Sequence, residues 1–151
     1  CFTFAKNVRT MEIILLVVGR TQEKYIKDGL QLYSNRLLKY SKFKIVSVLN
    51  SDKLNDYVKK GDRFILLDER GITLSSVGFA NQFQKWMNSG PKRLIFAIGD
   101  SYGFNKLSYE KSDAIISLGP MTFTHDMARL IFLEQLYRSW TILGGEPYHH
   151  D

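Results

Sequence analysis

The sequence predicts an α/β fold, a mostly parallel sheet with helices on both faces, and three observations carry that prediction. Short β-branched and aliphatic runs alternate with longer segments of helical spacing between residues 12 and 143. The 151 residues are 44% hydrophobic and 24% charged, enough for one domain with a real core and too apolar for a disordered chain. No linker, repeat or low-complexity tract interrupts them, so a single domain over residues 11–151 is expected.

The first ten residues, CFTFAKNVRT, show neither a signal-peptide hydrophobic stretch nor a cleavage site, and are expected to be a leader or cloning remnant ahead of Met11. Glu12 to Val18 then reads as a buried strand. From Lys24 to Tyr40, Ile26, Leu30, Tyr33, Leu37 and Tyr40 recur every three or four residues, while Lys24, Lys27, Gln31, Asn35 and Lys39 fall elsewhere around the cylinder. This is a helix with a basic wet face. A strand from Lys44 to Leu49, a short segment from Leu54 to Lys60 and a strand from Arg63 to Asp68 follow. Phe79, Phe83, Trp86 and Met87 form the buried stripe of a helix from Ser75 to Asn88, which Gly90-Pro91 stops. Next come a strand from Arg93 to Ile98, a helical segment from Lys106 to Ser112 and a strand from Ala114 to Leu118. In the last helix, Asp126 to Leu143, the apolar residues Met127, Leu130, Ile131, Leu133, Leu136, Tyr137, Trp140 and Leu143 spread over more than one face. Such a helix must be covered on two sides, and a second subunit is expected to provide the second cover.

Charge and composition narrow the function. The formal net charge is +6, and residues 20–60 carry all of it: Arg20, Lys24, Lys27, Arg36, Lys39, Lys42, Lys44, Lys53, Lys59 and Lys60 stand against Glu23, Asp28, Asp52 and Asp56. A polyanion-binding face has this one-sidedness, and so does an ordinary solvated surface. The single cysteine, Cys1, forms no intrachain disulfide, and with His125, His149 and His150 it gives no metal-ligand spacing. No metal is expected, and a reducing, cytoplasmic setting fits best. The longest apolar run, Ile13 to Val18, is six residues, far below the roughly 20 of a membrane-spanning helix. Neither GxGxxG nor GxxxxGK[ST] occurs, which removes the main support for a dinucleotide-binding domain or a P-loop NTPase.

Open parallel sheets bind ligands beyond the carboxyl ends of their strands, and three loops there are informative: Asp68-Glu69-Arg70-Gly71, Gly99-Asp100-Ser101-Tyr102-Gly103-Phe104 and Gly119-Pro120-Met121-Thr122-Phe123-Thr124-His125. These loops, with Leu67, Phe96-Ala97-Ile98, Ser117-Leu118, Arg129, Glu134-Gln135-Leu136-Tyr137-Arg138 and the ending Gly145-Glu146-Pro147-Tyr148-His149, carry a family likeness. From Met11 to His150 the chain resembles the RlmH family, small SPOUT methyltransferases that methylate N3 of a pseudouridine in bacterial large-subunit ribosomal RNA. The last third, MTFTHDMARLIFLEQLYRSW followed by GEPYHH, is the specific part.

The resemblance implies a C-terminal trefoil knot, a homodimer, S-adenosylmethionine bound in the knot and the assembled ribosome as substrate. Carried over by position, the cofactor-binding residues are Leu67, Gly99, Leu118, Gly119, Pro120, Met121, Thr122 and Phe123. Three positions depart from the family habit: Asp100 stands where a second glycine is common, Thr124 where proline is common, and Pro120 is seldom found. Asp100 beside the cofactor is expected either to favour its sulfonium or to hydrogen-bond its ribose. A β-carbon at Gly99 is expected to intrude on the cofactor. Two rivals remain, a SPOUT enzyme acting on transfer RNA and a non-catalytic RNA-binding module.

Methyl transfer from a sulfonium releases a neutral thioether, so alignment does most of the work and no metal has to stabilise the leaving group. The acceptor imide nitrogen carries a proton, so a base or water relay is needed. His149 is the expected base, because the family places this tail at the site and imidazole titrates near neutrality. Tyr137 and Arg138 are expected to orient the RNA base or phosphate, to which the guanidinium fork is suited. His149→Ala is expected to leave cofactor and RNA bound while slowing single-turnover methyl transfer by roughly 10²- to 10⁴-fold.

Overall fold

The computed structural model describes residues 11–148. Five strands, β1 (Glu12–Val18), β2 (Lys42–Val48), β3 (Arg63–Thr73), β4 (Arg93–Ile98) and β5 (Ala114–Ser117), form one sheet in the order β2-β1-β4-β3-β5. Every pairing is parallel, so Leu15 lies between Ile45 and Phe96, and Ile65 between Phe96 and Ala114. Five helices connect or follow the strands: α1 (Lys24–Leu37), α2 (Ser51–Tyr57), α3 (Ser76–Asn88), α4 (Lys106–Lys111) and α5 (His125–Leu143). Among the described residues no helix is long and apolar enough to cross a membrane.

The unbroken apolar run in β1 follows from burial on both faces of the sheet. Ile13, Leu15 and Val17 point into a core filled by α1, α3 and α5, whereas Ile14, Leu16 and Val18 point into a smaller core with Leu54 of α2 and Tyr109 of α4. Side-chain alternation along a strand therefore feeds two cores from one sequence run.

Two boundaries differ from the sequence reading. The helical spacing runs to Tyr40, but α1 ends at Leu37, and Lys39 and Tyr40 turn back with i→i−3 bonds onto Arg36 and Leu37. Tyr40 keeps its apolar role from outside the helix, stacked on Trp140 with ring centroids 5.2 Å apart. Strand β3 continues through Asp68-Glu69-Arg70-Gly71, read from sequence as a loop, and rejoins β5 after a register shift between Leu67 and Ile72. Gly71 permits this close passage, since a β-carbon there would stand 2.6 Å from the backbone of Ile115 and Ile116.

The last helix corrects an expectation. Both apolar sides of α5 are covered by the chain's own helices: Leu130 lies over Gly29 of α1, and Phe132 meets Phe79 of α3 and Phe96 of β4 at 5.9 and 4.8 Å. Trp140 sits edge-on to Phe83 at 5.1 Å. The two-sided pattern thus needs no second subunit to explain it.

The head of α5 is tied to the β1–α1 connection by buried charge. Arg129, 0% exposed, donates to the carbonyl of Val18 (2.8 Å) and to Oγ1 of Thr21 (3.0 Å). Asp126 Oδ2 accepts from the backbone N–H of Gln22 (2.9 Å) and Glu23 (3.0 Å). Burial alone would raise the Asp126 pKa, but those two N–H donors and the Arg129 guanidinium outweigh it and hold the carboxyl below its ordinary value. Burial of Arg129 likewise pulls its pKa down against the attraction of Asp126. Removing one partner of such a pair strands the other, so Arg129→Met is expected to cost about 3–5 kcal/mol in urea unfolding.

Candidate active site

β4 lies between β1 and β3 although it follows both in sequence, and the bulged segment of β3 (Leu67 to Arg70) meets the loops leaving β4 and β5 at one end of the sheet. They enclose a crevice of about 600 Å³, within the range of small-molecule sites. Leu67, Gly99, Leu118, Gly119, Met121, Thr122 and Phe123, expected to bind the cofactor, all line it. Pro120 is exposed and does not belong to the lining.

Local chemistry shapes each wall. The Ser117 hydroxyl donates to the Gly119 carbonyl (3.0 Å) and accepts from the Gly119 N–H (3.1 Å), folding the start of the third loop. Gly119 (φ +133°) adopts a conformation that side-chain-bearing residues avoid, with no atom within 4 Å of its missing β-carbon, so bare backbone is left to approach a ligand. The loop ends at Thr124, whose hydroxyl accepts from the Met127 N–H (3.2 Å) and caps α5. Threonine at this departure from the family habit thus has a job of its own.

Asp100 also has a defined role. Its Oδ1 accepts from the Tyr102 N–H (2.8 Å), while its carbonyl accepts from the Gly103 N–H (2.9 Å), closing a tight turn. Gly99 is required by that turn: a β-carbon would lie 2.6 Å from the Gly103 carbonyl oxygen and 2.8 Å from its carbon. The clash expected with a cofactor therefore falls first on the chain's own backbone.

Sequence reasoning did not single out Tyr109 or give Asp68 a role. The Tyr109 hydroxyl donates to Asp68 Oδ2 at 2.5 Å, and Asp68 Oδ1 accepts from the Arg70 N–H at 2.8 Å. The Arg70 guanidinium stands 5.6 Å above the Tyr109 ring. Burial, then the hydrogen bond to Asp68, pushes the Tyr109 pKa up to about 12, so it stays a donor at neutral pH. Asp68 and Tyr109 lie 41 residues apart, and nothing local in the sequence announces the pair. His125 and Ala128, from the first turn of α5, complete the wall.

Tyr137 and Arg138 are not brought to this crevice within one chain. At the helical rise of 1.5 Å per residue, Tyr137 stands roughly 18 Å along α5 from His125. Tyr137 packs among Tyr33, Tyr40 and Tyr148, and the Arg138 guanidinium binds Glu134 (2.8 Å) and lies 4.9 Å over the Tyr148 ring. His149 lies outside the described residues.

The crevice fits a cationic nucleoside-type group. Asp68, Glu69 and Asp100 line it with Arg70, and its walls include bare glycine backbone. The comparisons give the class: the family model described as predicted SPOUT methyltransferase matches residues 11–149, and the chain belongs to that family. More particularly, it is 44% identical to the ribosomal RNA large subunit methyltransferase H of Flavobacterium johnsoniae, over 93% of this chain and 99% of that protein. It is 37% identical to the protein of the same name from Geobacter sulfurreducens, over 93% of this chain and all of that one. Among solved structures, a probable methylase family protein from Haemophilus influenzae superposes with a TM-score of 0.56 at 10% identity, covering 95% of this chain and 72% of that one. The SpoU methyltransferase AviRb from Streptomyces viridochromogenes, solved in complex with the cofactor AdoMet, gives 0.51 at 13% identity, with 88% and 59% covered. These two likenesses show the fold.

Gly99→Val is expected to open the Gly99–Gly103 turn and to weaken S-adenosylmethionine binding at least tenfold (about 1.4 kcal/mol) by calorimetry, with the far-ultraviolet circular dichroism unchanged.

Proposed function

We propose that this methyltransferase transfers the methyl group of S-adenosylmethionine to N3 of a pseudouridine in 23S ribosomal RNA, acting in the cytoplasm as a homodimer on the assembled ribosome. The observation that carries the reading is the crevice where the bulged segment of β3 meets the ends of β4 and β5, in a chain that matches proteins named ribosomal RNA large subunit methyltransferase H over 93% of its length.

The residues divide the work. Leu67, Gly99, Leu118, Gly119 and Thr122 would hold the cofactor, largely through backbone, with Met121 and Phe123 at the mouth of its crevice, and the carboxylates of Asp68 and Asp100 in the lining would favour a cation there. When bound, that group supplies an electrophilic methyl and leaves as a neutral thioether. The protein's task is to align the acceptor nitrogen behind the methyl carbon and to relieve it of its proton. His149 takes the proton, and Tyr137 and Arg138 orient the RNA. The roughly 18 Å between Tyr137 and His125 along α5 supports a site assembled from two chains, the crevice of one protomer meeting the far end of α5 of its partner. Light scattering is expected to return twice the 17.5 kDa of one chain, and a mass of one chain overturns the dimer.

Lys24 and Lys27 on α1 and Lys39 in the turn after it are exposed, away from the crevice lining, and serve as the docking face for RNA phosphate. Lys24 is bound to Asp28 at 2.8 Å, an exposed pair that yields readily to a phosphate. Replacing both Lys24 and Lys27 by Glu is expected to weaken ribosome binding and to flatten its salt dependence by a slope of roughly 1 to 2, with cofactor affinity unchanged. The reading as a whole is tested by tritium transfer from labelled S-adenosylmethionine to ribosomes lacking the modification, with the product nucleoside identified by mass. Label in transfer RNA alone, or none, overturns it.

A further inference from the structure

The mouth of the crevice is built to hold a flat, uncharged group. Tyr102 is 95% exposed, Met121 77% and Phe123 38%, three large apolar side chains presented at the lining of one crevice. Exposed apolar surface concentrated beside a cavity marks a binding surface. The turn beneath Tyr102 fixes its backbone at the mouth, because the Asp100 carboxylate accepts from the Tyr102 N–H and Gly99 passes close against Gly103.

Charge decides what kind of RNA group enters. Asp68, Glu69 and Asp100 outnumber Arg70 at this crevice, so a phosphate is repelled there, whereas the basic excess lies in residues 20–60. The nucleobase is the flat, aromatic and uncharged part of a nucleotide, and N3 of a uracil-type ring sits on its pairing edge, reachable only when the base is unpaired. Unpaired RNA bases are held by stacking on aromatic side chains, and methionine sulfur also packs well against rings.

We propose that Tyr102, with Phe123 and Met121 from the loop after β5, is the platform on which the unpaired acceptor base is stacked over the methyl donor. This rests on the reading of the chain as a ribosomal RNA methyltransferase. Tyr102 acts through its ring face, so Tyr102→Phe keeps the function and Tyr102→Ala loses it.

The test compares steady-state methylation of ribosomes lacking the modification by the wild type, Tyr102→Phe and Tyr102→Ala, with S-adenosylmethionine affinity measured separately by calorimetry. Tyr102→Ala is expected to lower kcat/KM for ribosomes by roughly 5- to 150-fold, the range for one stacked base. Cofactor affinity stays at the wild-type value in both variants, and the loss does not shrink as salt rises, since no counterion release is involved. Unchanged kcat/KM in Tyr102→Ala beside an active wild type overturns the platform alone. A loss confined to cofactor affinity also overturns it and places the ring on the cofactor. A wild type that transfers no methyl group to ribosomal RNA overturns the platform together with the reading on which it rests.

Discussion

Burial of a parallel sheet on both of its faces is the constraint from which the rest of this molecule follows. Parallel strands need crossover connections, and here these place α1, α3 and α5 on one face and α2 and α4 on the other. Parallel strands point the same way, which is why the bulged segment of β3 and the loops after β4 and β5 share one crevice. The long α5 closes the larger core, with Phe132 and Trp140 set into a cluster that includes Phe79, Phe83 and Phe96. Its first turn is therefore fixed against both the sheet and the crevice, and the fully buried Arg129 holds that turn to the β1–α1 connection.

Rigid turns carry the crevice. The arm from Gly99 to Lys111 is folded on itself at Asp100 and anchored at its far end, where the Ser108 hydroxyl donates to Asn55 Oδ1 (2.7 Å) and Asn55 donates to Asn105 (2.9 Å). Tyr109 adds a second anchor onto Asp68. A reaction governed by alignment has more use for such fixed backbone than for a large set of titrating groups. The loop after β5 is held in the same manner at both ends, by Ser117 and by the Thr124 cap.

Charge is segregated over the surface. Asp68, Glu69 and Asp100 gather at the crevice, while Lys24, Lys27, Lys39, Lys42 and Lys44 lie on the α1 and β2 side.

The amino-acid sequence by itself determined the class of fold, most element boundaries and nearly all of the crevice lining. The reason is that buried parallel strands such as Glu12–Val18 and Arg93–Ile98 leave an unbroken apolar signature, and strand-end glycines such as Gly99 and Gly119 mark the turns after them. Tertiary structure alone decided what pairs across distance. It covered both sides of α5 with α1 and α3, drew Asp68-Glu69-Arg70 into a bulged strand, and joined Tyr109 to Asp68 and Arg129 to Val18. It also set Tyr137 and Arg138 at the opposite end of α5 from the crevice wall. Such contacts depend on the crossing of elements in space, and a polar side chain carries the same local pattern whether its partner is water or a group brought over by the fold.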